Sequence, residues 1–238
     1  MQPGNKISDI LVLKYYAIIV GAGSGSRMQS DVPKQFMLLN GKPILMHTIE
    51  SFYYSDFKPE IILVLNVDFI TYWEQLCEKY NFLIPHTLIK GGLQRFHSVK
   101  NGIKAIKEDS VIAIHDAVRP LASNELICRS FKEAEESGNA IVAIKSKDSV
   151  RQQKGNTSLS LNRDEIYLIQ TPQTFQFELL NTAYKQEYSN EFTDDASVVE
   201  RTGITLNLIE GESKNLKITF PEDLSLAEFY LSQTKNKA

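Results

Sequence analysis

Only two of the 238 residues are cysteine, Cys77 and Cys128, far apart and in no C-x-x-C. That excludes a disulfide framework and a thiolate metal centre and fits a reducing compartment, so the protein is expected to be cytoplasmic, with both thiols packed as apolar residues. Excess positive charge is also missing. With 26 Lys and Arg against 29 Asp and Glu the formal net charge is -3, so there is no global basic field for a nucleic-acid duplex and any anion must be held locally. Long apolar runs are lacking as well. The nearest, Ile10 to Val20, is interrupted by Lys14, follows Asp9 rather than a basic flank, and is far short of the roughly 20 residues a bilayer span requires. No membrane partner is expected. No serine-histidine or cysteine-histidine signature is present, nor an internal repeat or low-complexity linker. Asn156-Thr157-Ser158 matches a glycosylation acceptor, which in a cytoplasmic protein is chance.

What the chain does have is a β-branched and aromatic run, Tyr16 to Val20, that stops at Gly21, Gly23 and Gly25. The run suits a buried parallel strand. Glycines alternating with small residues let backbone N–H groups approach phosphate oxygens, and Arg27 and Lys34 add two cations just beyond. Ser26 stands where a third dinucleotide-fingerprint glycine belongs, and no G-K-[ST] follows, so neither the Rossmann fingerprint nor the P-loop is matched. A bound anion is expected here.

The length suits one large α/β domain, taken as residues 15–238 after an amino-terminal extension over 1–14. Asn40-Gly41 marks a turn, and Pro43 to Phe52 reads as a helix with proline in its first turn. Ile61 to Leu65 is a buried strand. Phe69 to Tyr80 is an amphipathic helix whose Phe69, Tyr72, Trp73, Leu76 and Tyr80 form a core stripe. Phe82 to Ile89 reads as extended and ends at Gly91-Gly92, and Arg95 to Lys107 as a helix. Val111 to Ile114 is the next strand, delivering His115-Asp116-Ala117-Val118-Arg119-Pro120 at its carboxyl end, where open α/β sheets bind ligands. Ser123 caps a helix to Ser137, Gly138 breaks it, and Ala140 to Ile144 is a further strand. This alternation implies a mostly parallel sheet with helices on both faces.

Lys145 to Leu168 is different. It is polar, with a turn at Gln152-Gln153 and Gly155-Asn156, and its flanks can pair as a hairpin. With little to bury, it is either a surface excursion or an arm packed on another subunit, and the second is favoured. After Gln170 to Phe175 a helix is expected from Phe177 to Tyr188, then one starting at Thr193-Asp194-Asp195-Ala196-Ser197 with Thr193 as the cap. Gly203 ends it. Ile204 to Ile209 and Leu216 to Thr219 read as strands, and Pro221 to Leu231 as the last helix.

Four places converge on one rim: the glycine loop with Arg27 and Lys34, the Gly91-Gly92 corner with Arg95 and Ser98, the Asp116 and Arg119 strand end, and Lys217. Cations at several of them suit a polyphosphate. Asp116 can serve as a turn cap, as the ion-pair partner of Arg119, or as a ligand of Mg²⁺, which binds through one or two carboxylates with substrate phosphates and water completing its shell. His115 reads as a structural neighbour. The reaction class that uses these parts is nucleotidyl transfer. An attacking phosphate is already ionised and needs no general base, so positioning and charge stabilisation suffice.

Gly21-Ala22-Gly23-Ser24-Gly25-Ser26-Arg27-Met28 with Pro33-Lys34-Gln35, Gly91-Gly92-x-x-Arg95-x-x-Ser98-Val99, and His115-Asp116-Ala117-Val118-Arg119-Pro120 open a set of six ordered blocks. Thr171-Pro172-Gln173, Thr193-Asp194-Asp195-Ala196-Ser197, and Asn215 to Thr219 with Pro221-Glu222-Asp223-Leu224 complete it. Together they resemble the 2-C-methyl-D-erythritol 4-phosphate cytidylyltransferase family across residues 16 to 230. The resemblance implies a Rossmann-like domain with a protruding β-arm over about 145–168, a homodimer with arm exchange, Mg²⁺ dependence, and CTP and a polyol phosphate as substrates. It assigns the triphosphate and transition state to Arg27, Lys34 and Lys217, and Mg²⁺ or the substrate diol to Asp116. Arg119 and Thr193 would line the polyol side, Ser149 and Arg163, arriving from the partner's arm, would contact the substrate phosphate, and the backbone at Ala22 and Gly91 with Ser98 would read cytosine, with Gly23 and Gly25 also binding substrate. Gly21, Ser26 and Ser149 replace a frequent alanine, arginine and threonine, and Leu93 falls where many members have aspartate. Two other readings share these features: a ribitol 5-phosphate cytidylyltransferase, and a catalytically silent nucleotide-binding protein on the same fold.

Overall fold

The computed structural model describes residues 13–23 and 32–235. The expectations for Gly25, Arg27 and most of the amino-terminal extension lie outside the described residues. Strand β1, Lys14–Gly21, starts two residues before the aromatic run and carries it into the sheet. A 3-10 turn over Lys34–Phe36 and a two-residue hairpin, β2 (Leu38–Leu39) and β3 (Lys42–Pro43), lead into α1, Ile44–Tyr53. The hairpin turns at Asn40 and Gly41, both at positive φ (49° and 79°), which is why Asn-Gly occupies it. There follow β4 (Glu60–Leu65), α2 (Ile70–Lys79), β5 (Thr87–Lys90), α3 (Arg95–Ile103), β6 (Ser110–Asp116), α4 (Asn124–Ser137) and β7 (Asn139–Lys145). Ser123 accepts from the Leu126 N–H and so caps α4 as expected, and Gly138 ends it at φ +88°.

The seven-stranded sheet has the order β11-β7-β10-β6-β1-β4-β5, where β10 is Tyr167–Gln176 and β11 is Leu208–Glu210. β10 alone runs antiparallel, between β6 and β7, and the other pairings are parallel. Alternate residues of each strand enter different cores. Ala17, Ile19, Leu63 and Ala113 pack with Leu45, Ile49 and Phe52 of α1, Trp73 of α2 and Phe131 of α4. Tyr16, Ile18, Val64 and Ile114 pack on the opposite face with Val99 and Ile103 of α3, together with Leu180 and Val198. Those last two belong to the short helices α5 (Phe177–Ala183) and α6 (Asp195–Glu200). The final helix, α7 (Pro221–Lys235), seals a third cluster through Ala227, with Ile218, Val118 and Leu39.

The segment after β7 forms the expected hairpin, β8 (Val150–Lys154) and β9 (Thr157–Leu161), turning at Gly155. It is a separate two-stranded sheet, and almost all of it is exposed.

Several local expectations are corrected. The stretch Gln170 to Phe175, for which the residues suggest no element, is a buried central strand. Its polar side chains find fixed partners: Thr174 with Ser130, Gln173 with Asp194, and Gln170 with the Glu212 carbonyl. Pro172 sits where the β10 register shifts, between Ile169 and Gln173, so it interrupts no ladder bond there; the Thr171–Pro172 peptide is cis. Leu216 to Thr219 forms no strand. Its Ile218 N–H bonds a single carbonyl, Val118 O, and its apolar residues serve the third core instead. The extended stretches 82–89 and 204–209 shrink to β5 and β11, and the helices expected to Lys107 and Tyr188 stop at Ile103 and Ala183. Ile106 nonetheless packs in the core. The stripe of α2 is divided: Trp73 and Leu76 are buried, while Tyr72 is exposed and Phe69 lies in a preceding 3-10 turn.

Candidate active site

A cavity of about 880 Å³ opens at the carboxyl ends of β6, β1, β4 and β5. Four adjacent parallel strands span roughly 14 Å at their usual separation, a width that accommodates an extended nucleotide. At the β6 and β1 end the cavity is lined by Asp116, Ala117, Gly21, Ala22, Gly23, Lys34 and Lys217. At the β4 and β5 end the lining is Asn66, Val67 and the run from Gly91 to Arg95, with Ser98 below. Lys34 and Lys217, distant in sequence, therefore face one space.

The charge is gathered around Asp116. Its Oδ2 lies 3.0 Å from Lys217 Nζ and 3.3 Å from Arg119 Nε, and its Oδ1 lies 3.8 Å from Arg95 Nε. Burial alone would raise this carboxyl, but Arg95, Lys217 and Arg119 outweigh it and hold the group well below the usual carboxylate range. Arg95 is itself clamped. Its two terminal nitrogens donate to the Asp195 carboxylate at 2.8 and 2.6 Å, Asp195 is fully buried, and the Tyr184 hydroxyl donates to the same carboxylate at 2.6 Å. A bidentate fork of this kind fixes the guanidinium plane. The result is a chain of alternating charge, Asp195, Arg95, Asp116 and Lys217, running from the core to the cavity.

His115 is fully buried, with Nε2 against the Arg119 carbonyl at 3.0 Å and Nδ1 against Thr171 Oγ1 at 3.1 Å. Burial pushes its pKa down to about 4, so the imidazole is neutral near pH 7 and serves as a structural brace, as expected from the sequence. Thr171 also accepts from the Asp116 N–H at 3.1 Å, so the antiparallel β10 holds the cavity end of β6 in place.

The loop backbone comes close at Gly91. A Cβ there would lie 2.5 Å from Ala22 Cβ and 3.2 Å from Leu65 O, so only glycine lets β5 turn beneath the cavity. Ser98 Oγ accepts from the Gly92 N–H at 3.0 Å and lies 3.2 Å from the Gln94 carbonyl it donates to, so it shapes this loop. Gln35, a further buried lining residue, donates from Nε2 to the Gly21 carbonyl at 2.8 Å and ties the 3-10 turn carrying Lys34 to the end of β1.

The sequence-expected residues thus divide. Ala22, Gly23, Lys34, Gly91, Ser98, Asp116 and Lys217 share the cavity. Arg119 is buried behind it, donating to the Asn215 carbonyl at 2.8 Å, and so acts as the ion-pair support of Asp116. Thr193 is exposed and does not line the cavity. The cap of α6 is Asp194, in a reciprocal capping box with Ser197, because Asp194 Oδ1 reaches the Ser197 N–H at 2.9 Å. Ser149 and Arg163 are exposed on the segment that carries the β8–β9 hairpin, away from this cavity of their own chain. Asp195, Tyr184 and Gln35 were absent from the expected set. Asp195 carries no signal distinguishing it from Asp194, since only tertiary packing buries one and leaves the other as a cap.

Among the described residues no group of three or more His, Cys, Asp or Glu is placed to hold a metal by protein ligands alone. Asp116 Oδ1 keeps coordination capacity, because Arg95 at 3.8 Å lies beyond hydrogen-bond distance. Asp116 lines the cavity, and one carboxylate with spare coordination capacity is the kind of protein ligand Mg²⁺ would take beside phosphate oxygens and water.

A family model described as 2-C-methyl-D-erythritol 4-phosphate cytidylyltransferase matches residues 15–233. A relative bearing that name, from Azobacteroides pseudotrichonymphae, is 50% identical over 214 residues, covering 90% of this chain and 96% of the relative. The solved structure of a 4-diphosphocytidyl-2C-methyl-D-erythritol synthase from Anaerococcus prevotii superposes with a TM-score of 0.78 at 29% identity, over 92% of this chain and 96% of that one. A Francisella tularensis 2-C-methyl-D-erythritol 4-phosphate cytidylyltransferase structure gives 0.75 at 32% identity, over 91% and 99%.

Proposed function

The chain belongs to the 2-C-methyl-D-erythritol 4-phosphate cytidylyltransferase family, and from that premise we propose how its cavity performs the family's reaction. It transfers CMP from CTP to 2-C-methyl-D-erythritol 4-phosphate, giving CDP-methylerythritol and pyrophosphate in isoprenoid synthesis. A phosphate oxygen of the polyol phosphate attacks the α-phosphorus in line. The new P–O bond forms as the bond to the β-phosphate's bridging oxygen breaks, and pyrophosphate leaves with that electron pair.

Lys34 and Lys217 neutralise the triphosphate and the extra charge on the five-coordinate phosphorus, and in a reaction without proton transfer such charge stabilisation is the protein's main means of lowering the barrier. Asp116 holds Lys217 in place and would hold Mg²⁺, which when bound supplies further neutralisation of the phosphates. Arg95, locked by Asp195 and Tyr184, keeps Asp116 ionised and aimed. Arg119 supports the same carboxylate from behind. The observation that carries this reading is the convergence of Lys34, Lys217 and Asp116 on one cavity. Arg27 and Gly25 complete the glycine loop in the reading taken from the family's motif.

The second phosphate comes within reach of Ser149 and Arg163 if the segment carrying them docks on a second copy. A free two-stranded hairpin is marginal by itself, and Leu159, Tyr167, Leu168 and Ile169 expose apolar surface on and beside it, which supports a homodimer with arm exchange. Among the described residues no helix is long and apolar enough to cross a membrane, and both cysteines are unpaired. The thiols support a reducing, cytoplasmic setting.

Pyrophosphate release, measured with CTP and either 2-C-methyl-D-erythritol 4-phosphate or ribitol 5-phosphate at varied Mg²⁺, tests the reading. The methylerythritol substrate is expected to turn over faster, and only with the metal present. Faster release with ribitol 5-phosphate, or none with either despite CTP binding, would overturn it.

A further inference from the structure

Lys217 belongs to no helix or strand. Among the described residues, the main chain from the end of β11 to Lys217 and its neighbour is tied to other parts of the backbone at two points. The Gly211 N–H donates to the Ala143 carbonyl of β7 at 2.8 Å, and the Ile218 N–H to the Val118 carbonyl at 2.9 Å. A long flexible side chain on such a segment has no element to aim it, so neighbouring side chains must. Two buried amides are placed to do so. Gln170 of β10 donates from Nε2 to the Glu212 carbonyl at 2.9 Å and accepts from the Glu212 N–H at 3.3 Å, clamping the start of the segment. The Ser123 hydroxyl holds the Glu212 carboxylate at the same place. Asn215, fully buried, donates from Nδ2 to the Thr171 carbonyl at 2.8 Å and to Gln170 Oε1 at 3.3 Å. The chain passes tightly over this pair: a Cβ on Gly211 would lie 2.6 Å from Gln170 Oε1.

Thr171 links the two halves of the ion pair in the cavity. Its Oγ1 accepts from the Asp116 N–H at 3.1 Å and its carbonyl accepts from Asn215, so one residue of β10 references both Asp116 and the segment that carries Lys217. Lys217 Nζ then meets Asp116 Oδ2 at 3.0 Å. Resting on the reaction above, we propose that Asn215, seated on Gln170 and Thr171, is a positioning residue that registers Lys217 against Asp116 and acts on turnover through that lysine. A second route to the site runs through Arg119, whose Nη1 donates to the Asn215 carbonyl at 2.8 Å. That contact is made by the main chain, so truncating the Asn215 side chain separates the two routes.

The test is a double-mutant cycle on pyrophosphate release, run below the melting temperature of every variant. Asn215→Ala should lower kcat by about ten- to a hundredfold, the scale of a misplaced catalytic group, with KM for CTP changed by less than about threefold. In a Lys217→Ala background the same substitution should change kcat by less than about twofold, because the group it aims is gone. Gln170→Ala, which removes the seat of Asn215 and the clamp on Glu212, should follow the same pattern, and it carries the cycle if Asn215→Ala does not fold. An equal loss of kcat with and without Lys217, or no loss at all, would overturn the proposal. Hydrogen exchange at the Ile218 amide supplies a readout without turnover: it should quicken in Asn215→Ala and stay as in the unsubstituted protein in Lys217→Ala. Unchanged exchange in Asn215→Ala would overturn the proposal as well. Quickened exchange in a protein that releases no pyrophosphate would refute the reaction while supporting the placement of the Lys217 segment by Asn215.

Discussion

Replacing Lys217 with alanine separates catalysis from stability, because the two contributions of this side chain differ widely in size. Its ammonium lies 3.0 Å from Asp116 Oδ2, but the side chain is 40% exposed, and Asp116 retains Arg119 at 3.3 Å and Arg95 at 3.8 Å. After discounting for solvent, the lost ion pair is worth about 0.5 kcal/mol. In a domain of this size that lowers the melting temperature by roughly 1–2 °C. The catalytic loss is far larger. A preorganised cation aimed at charge that develops in the transition state contributes on the order of 10²–10³ in kcat, and the loss should fall on kcat more than on KM for CTP. Pyrophosphate release under saturating substrates, paired with thermal denaturation, measures both. Turnover within tenfold of the unsubstituted enzyme would remove Lys217 from the transition state. A fall in melting temperature beyond about 6 °C would show instead that its role is structural.

Asp195→Asn should behave in the opposite way: it leaves Arg95 without its buried counter-charge and costs about 3 kcal/mol, which differential scanning calorimetry would record as a drop of several degrees and an unshifted transition would contradict. Lowering the pH should destabilise the fold through His115. The buried ring stays neutral down to about pH 4, whereas the unfolded chain takes up its proton near pH 6.5, so its contribution is intact above pH 7 and about 3 kcal/mol is lost as pH falls from 6.5 to 4. Urea midpoints across that range should show the slope, and an equal slope in His115→Asn would refute the assignment. For the shared site, mixing Arg163→Ala protein with Lys34→Ala protein should regain roughly a quarter of the activity once subunits exchange at random, and no recovery after verified exchange would place Arg163 outside the site.

Most of the frame was legible because parallel strands buried on both faces must be short apolar runs, and Tyr16 to Val20, Ile61 to Leu65 and Val111 to Ile114 are such runs. The glycine at 91 and the serine cap at 123 were legible for similar reasons, since each answers a local backbone demand. β10 was not legible. Its buried Gln170, Thr171, Gln173 and Thr174 look like loop residues until their partners on β6, α4 and α6 are in place. Arg119 was expected at the polyol, and its guanidinium is held by the Asn215 carbonyl and the Asp116 carboxylate, partners that no local pattern announces.

The amino-acid sequence by itself determined the alternation of strands and helices, the glycine corners, and the cationic and carboxylate residue types that nucleotidyl transfer requires. Tertiary structure alone decided which charges meet. The distance between Asp195 and Arg95, or between Lys217 and Asp116, depends on how separate elements pack across the sheet. Local propensity acts over a few residues, whereas an electrostatic site is assembled from groups a hundred residues apart whose energies exist only once burial has removed the water between them.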